Sequence, residues 1–73
     1  ALTMRLPTGS VFERLAVLDL GGRRVRAWEG SLSGTIAWDG RDDTGRPAPA
    51  GVYLVRGSAQ GREFSGRVVR LGR

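Results

Sequence analysis

Apolar positions in this chain fall in short runs, and turn-forming residues interrupt every run. Leu2, Met4 and Leu6 alternate with Thr3 and Arg5, which predicts a half-buried first strand over 2–6 that stops at Pro7. Thr8-Gly9-Ser10 reads as a turn. From Phe12 to Leu20 the chain is apolar on both parities, with Leu15 and Val17 on one face and Ala16, Leu18 and Leu20 on the other. That pattern suits a central strand of a sandwich, over 12–20. Gly21-Gly22 predicts a tight hairpin with positive φ at both glycines, and the chain returns over 23–28 with Val25 inward. Glu29–Gly34 reads as a short polar loop, and 35–38 as a strand in which Ile36 and Trp38 alternate with smaller residues. Two further strands, over 52–59 and 62–71, flank a turn at Gln60-Gly61. The 12 glycines and 3 prolines leave no helical stretch intact. Six or seven short strands with regular turns predict an all-β fold, an immunoglobulin-like antiparallel β-sandwich.

Between the fourth and fifth strands lies a long stretch of turn chemistry, from Trp38 to Tyr53. Asp39-Gly40 and Thr44-Gly45 place glycine where positive φ is needed. Asp42 and Asp43 can fold their carboxylates back onto nearby amides. Pro47 and Pro49 then hold an extended segment that cannot donate two ladder bonds, and Gly51 ends it before Val52–Val55. The stretch reads as a rigid connection between β-layers.

These residues carry a resemblance. Trp38, Asp39, Gly40, Asp42, Asp43, Gly45, Pro47, Gly51 and Tyr53 spell W-D-G-x-D-D-x-G-x-P-x-x-x-G-x-Y, a pattern that resembles the immunoglobulin-like domain of flagellar hook-capping proteins. It is similar as well to the type A C-terminal sorting domains of type IX secretion. Leu15–Val25 resembles that family's V-Y-D-L-x-G-R-x-V hairpin, and Arg67–Leu71 its closing K-M-V-L-L strand. The likeness covers most of the chain from about Leu15 onward. Leu18 stands where the family has tyrosine, Arg67 where it has lysine, and an extra residue near Val11–Glu13 predicts a bulge or a longer first loop. The resemblance implies a non-catalytic C-terminal module of an exported bacterial protein, located outside the cell or in its envelope. Its partner would be the preceding domain or a component of secretion machinery, met through an exposed strand edge or the loop face; the last strand, with Phe64, Arg67, Val69 and Leu71, is the candidate edge.

Composition narrows the chemistry. The 73 residues allow one domain, spanning 1–73, with a thin core. Without cysteine there is no disulfide or thiolate metal site, and without histidine the commonest general base is missing. No run approaches the length of a membrane span. Ala1–Leu6 is too short and polar for a signal peptide, so an export signal is expected upstream and the chain reads as a fragment. The net charge is +5, with all 12 basic residues arginine. Their spread along the chain fits solvated strand faces better than one nucleic-acid groove, so nucleic acid is set below a protein partner.

Four readings remain to be weighed on the structure. Asp39, Asp42 and Asp43 invite calcium but lack the EF-hand spacing, and turn formation is the simpler account. No other cofactor is implied. Trp38 and Trp28 read as packed between the sheets, whereas an exposed indole would make the chain a carbohydrate-binding accessory module. Tyr53 reads as a structural corner whose hydroxyl ties down Pro47–Gly51. Pairing Asp42 or Asp43 with Glu29 or Glu63 as a glycosidase site lacks a cleft in a domain this small.

Overall fold

The computed structural model describes residues Leu2–Leu71. It contains six strands and, among the described residues, no helix: β1 (Leu2–Arg5), β2 (Phe12–Leu18), β3 (Arg24–Leu32), β4 (Thr35–Trp38), β5 (Gly51–Ala59) and β6 (Arg62–Arg70). Strands β1 and β4 form a two-stranded sheet, and β3-β2-β5-β6 a four-stranded one. Every pairing is antiparallel. The fold is therefore an all-β antiparallel sandwich, as the alternation predicts.

The core lies between the two sheets. Met4 and Leu6 enter from the β1 side and Trp38 from β4, and they meet Phe12, Leu15, Val17, Tyr53 and Ala59 of the larger sheet. Trp38, Phe12 and Val17 are its fully buried side chains. Two edge-to-face aromatic pairs organise the packing: Phe12 with Phe64, centroids 5.1 Å apart, and Trp38 with Tyr53, 5.3 Å apart. Such pairs add to the burial of their large apolar area.

The structure corrects several boundaries. β2 ends at Leu18, because Asp19 opens the turn and Leu20 is 69% exposed. In the 19–22 turn Gly22 alone of the two glycines has positive φ, at 88°. Thus the hairpin is a type I turn closed by one left-handed glycine, not a primed turn with two. β3 runs on through Glu29, Gly30 and Ser31 to Leu32, where the composition suggests a loop. It is an edge strand, and its polar residues meet solvent. β6 stops at Arg70, leaving Leu71 outside the strand.

An irregularity near Val11–Glu13 is present, but the extra residue sits on the partner strand. Phe12 opposes Leu32 and Arg14 opposes Glu29, so two steps on β2 match three on β3. A second slip occurs where Val17 opposes Arg26 and Leu18 opposes Arg24, leaving Val25 unmatched. Both bulges therefore lie on β3, a device that bends and twists an edge.

Candidate interaction site

The long connection folds as a small hairpin of its own. Asp42 N–H donates to the Arg46 carbonyl (2.8 Å), Gly45 N–H to the Asp42 carbonyl (3.0 Å), and Ala48 N–H to the Gly40 carbonyl (2.8 Å). The Asp42 carboxylate then accepts the Thr44 N–H, the Thr44 hydroxyl and the Arg46 N–H through one oxygen. Residues 19–23 repeat this arrangement. There Asp19 N–H donates to the Arg23 carbonyl (2.9 Å) and Gly22 N–H to the Asp19 carbonyl (3.0 Å). The Asp19 carboxylate accepts the Gly21 and Arg23 amides. Asp19-Leu20-Gly21-Gly22-Arg23 and Asp42-Asp43-Thr44-Gly45-Arg46 are thus two copies of one D-x-x-G-R turn. Reading the chain for repeats misses it because the shared unit is only five residues long. The aligned Asp, Gly and Arg were the signal that could have found it.

These bonds set the acidity of Asp42. The Thr44 hydroxyl and then the Arg46 amide stabilise its charged form and hold its pKa below the ordinary value of 3.8. A folded pKa lowered in this way contributes stability that is full above about pH 4 and is lost as pH falls through the lowered value. A carbon-detected NMR titration should accordingly find Asp42 titrating below a model aspartate, and Thr44→Val should move it back up. A midpoint unaffected by Thr44→Val would disprove the role of the hydroxyl.

The corner residues are held by specific contacts. The Tyr53 hydroxyl donates to the Pro49 carbonyl, and Trp38 Nε1–H donates to the Arg41 carbonyl at 2.9 Å. Gly40, at φ 81°, is buried beneath Arg70 of β6, whose Nε would lie 2.6 Å from any added Cβ. Tyr53→Phe is expected to lower stability by about 1 kcal/mol, the net worth of one hydrogen bond. An unchanged urea midpoint would refute that.

The three aspartates of the calcium reading do not converge. Asp39 accepts the Arg41 amide and lies 3.8 Å from Arg26. Asp42 serves its own turn, whereas Asp43 reaches β3. Among the described residues no group of three metal-ligating side chains comes together. Nor does the carbohydrate reading find an open platform. Trp38 is 0% exposed, and half-buried Trp28 packs against the core with the Arg26 guanidinium 5.3 Å from its ring centroid. Asp42 and Asp43 lie in the long connection, and Glu29 and Glu63 lie on the two edge strands β3 and β6, at the ends of the larger sheet's order.

Asp43 has a different task. Its N–H donates to the carbonyl of bulged Val25 (2.8 Å), and its carboxylate accepts the Ala27 N–H (3.1 Å). Arg24 Nε stands 3.2 Å from the same carboxylate. One loop residue therefore occupies the Val25–Ala27 stretch of the outer edge of β3 as a short added strand would. At the opposite edge, β6 bonds to β5, and among the described residues no other backbone or side-chain group bonds to its outer side. Larger sheets are normally protected at both edges. This one is capped at Val25–Ala27 of β3, and among the described residues no such cap sits on β6.

Of the residues expected at that open edge, Arg67 and Val69 lie on β6 and are exposed. Phe64 turns inward onto Phe12, so it belongs to the core side, and Leu71 follows the strand. Beside the open edge, β1 and β6 border a groove of about 370 Å³ whose lining includes Met4, Phe12, Leu15, Val55, Phe64 and Gly66. The sequence gives no sign of this groove. No helix among the described residues is long and apolar enough to cross a membrane. No protein-family model, curated protein or solved structure matches the chain.

Proposed function

We propose that this chain is a non-catalytic immunoglobulin-like module, the C-terminal unit of an exported bacterial protein, that acts in recognition at the cell envelope or outside the cell. Its partner is a component of a secretion or surface-attachment machine, or the preceding domain that it caps. The observation that carries this reading is the asymmetry of the four-stranded sheet: Asp43 caps Val25–Ala27 of the β3 edge, while no loop residue among those described caps β6. An open edge offers backbone groups to an incoming strand, a recurring mode of recognition. The resemblance of the Trp38–Tyr53 loop to hook-capping and sorting domains supplies the bacterial export context.

Fusing the chain to the C-terminus of a reporter that carries an export signal tests the reading, in a bacterium with type IX secretion. The reporter should reach the cell surface, and Arg67→Glu with Val69→Glu should reduce its delivery. Accumulation of a folded fusion in the periplasm, unaffected by those changes, would overturn the sorting role.

A further inference from the structure

We infer that the groove between β1 and β6 is a binding site for an extended peptide whose apolar and acidic residues alternate, added to β6 as a further strand. The inference deepens the recognition reading above and rests on it.

Backbone geometry defines the acceptor. Gln60 and Gly61 both have positive φ, 53° and 77°, and they join Ala59 and Arg62, which oppose each other. A two-residue turn of this kind makes its flanking residues a hydrogen-bonded pair, after which bonded and non-bonded pairs alternate. Residues 62, 64, 66, 68 and 70 therefore bond to β5. Glu63, Ser65, Arg67 and Val69 direct their N–H and C=O groups toward the open edge. An incoming strand has its ladder sites spaced along this edge.

The inner layer has a gap beside those sites. Gly66 opposes Val55 at the middle of β6, and a Cβ built on it meets nothing within 4 Å. By contrast, a Cβ at Gly57 would lie 2.5 Å from the Phe12 ring. Phe64 and Val68 flank Gly66 and pack against the core, so a side chain is absent from the layer where the groove opens. A partner's apolar side chain fills that space from the neighbouring strand position. Side chains alternate across a strand, and the partner's next residues therefore face outward beside Arg67.

Charge selects what those outward residues are. Arg5 and Arg67 border the groove, and no aspartate or glutamate lines it. Neither arginine is among the ion pairs found within the described residues, which engage Arg23, Arg24 and Arg26. With a chain charge of +5, a carboxylate-bearing strand is drawn in, whereas a second copy of this chain is repelled.

A fluorescein-labelled ten-residue peptide alternating aspartate and valine is the probe, with a lysine–valine peptide of the same length as control. Fluorescence anisotropy should show saturable binding of the acidic peptide, at least about tenfold tighter than the basic one and weaker at high salt. Methylating alternate peptide nitrogens should abolish binding by removing the ladder donors. Gly66→Leu, which fills the gap, and Arg67→Glu, which reverses the rim charge, should each weaken it by about tenfold or more. Circular dichroism and melting curves verify that both variants remain folded. If Gly66→Leu misfolds, Arg67→Glu and the methylated peptide still decide. Absence of saturable binding, equal affinity for the basic peptide, or indifference to methylation would overturn the inference. Concentration-dependent dimerisation of the free chain, blocked by Gly66→Leu, would also overturn it, in favour of a second copy as the occupant. Surface delivery of the reporter without peptide binding sinks this site alone, and peptide binding without delivery sinks the export reading alone.

Discussion

Trp38→Ala is expected to remove a large part of the chain's stability at 25 °C. Removing a fully buried large aromatic side chain costs about 3–5 kcal/mol through lost transfer energy and the cavity left behind. For 73 residues, the whole stability is on the order of 4–11 kcal/mol. The position makes the upper end of the cost apt. Trp38 closes β4, packs edge-to-face on Tyr53 and donates its indole N–H to the Arg41 carbonyl. It therefore joins the small sheet, the large sheet and the long connection at one point. Urea denaturation followed by circular dichroism would measure the loss. Trp38→Phe should fall between wild type and alanine, keeping ring contact but not the hydrogen bond. A Trp38→Ala chain that melts within a few degrees of wild type would show that the two sheets do not depend on this contact.

The second large effect is a contrast between two glycines of the same sheet. Gly57→Ala places its new carbon 2.5 Å from the Phe12 ring and 3.2 Å from Leu15 Cδ1. Phe12 is 2% exposed and held by Phe64, so the ring has little room to yield. Overpacking of this kind costs about 1–3 kcal/mol. Gly66→Ala meets open space and should be neutral or raise stability by about 0.5–1 kcal/mol, since glycine is entropically costly within a strand. Opposite signs in paired urea titrations are the expected result. Combining Phe12→Leu with Gly57→Ala should recover part of the Gly57→Ala loss, because the clash is with the ring edge. A Gly57→Ala protein as stable as wild type would remove steric closeness as the reason for glycine there.

Those two glycines also mark where sequence reading runs out. Alternation located β1, β4, β5 and β6 closely, because each of these short strands has one face in the core. β3 was cut short since Glu29, Gly30 and Ser31 look like a loop, and nothing local says that they lie on a solvated, bulged edge. The turn chemistry of Asp39, Asp42 and Gly45 was readable because it is settled within a few residues. Asp43 looked equivalent to Asp42, yet it bonds to Val25 and Ala27, partners 16 to 18 positions away that only the tertiary fold supplies. Likewise, Gly57 and Gly66 are indistinguishable as letters, and the difference between a crowded and an empty site is made by Phe12.

The cap that Asp43 places on Val25 and Ala27 bears on assembly. A sheet open along both flanks can propagate, each added molecule presenting a fresh flank to the next, which is the route to fibres. Here Asp43 already takes ladder sites at Val25 and Ala27, so a second copy of the sheet cannot pair along the full length of β3. Continuous edge-to-edge growth of the larger sheet through β3 is therefore hindered at that end of the strand.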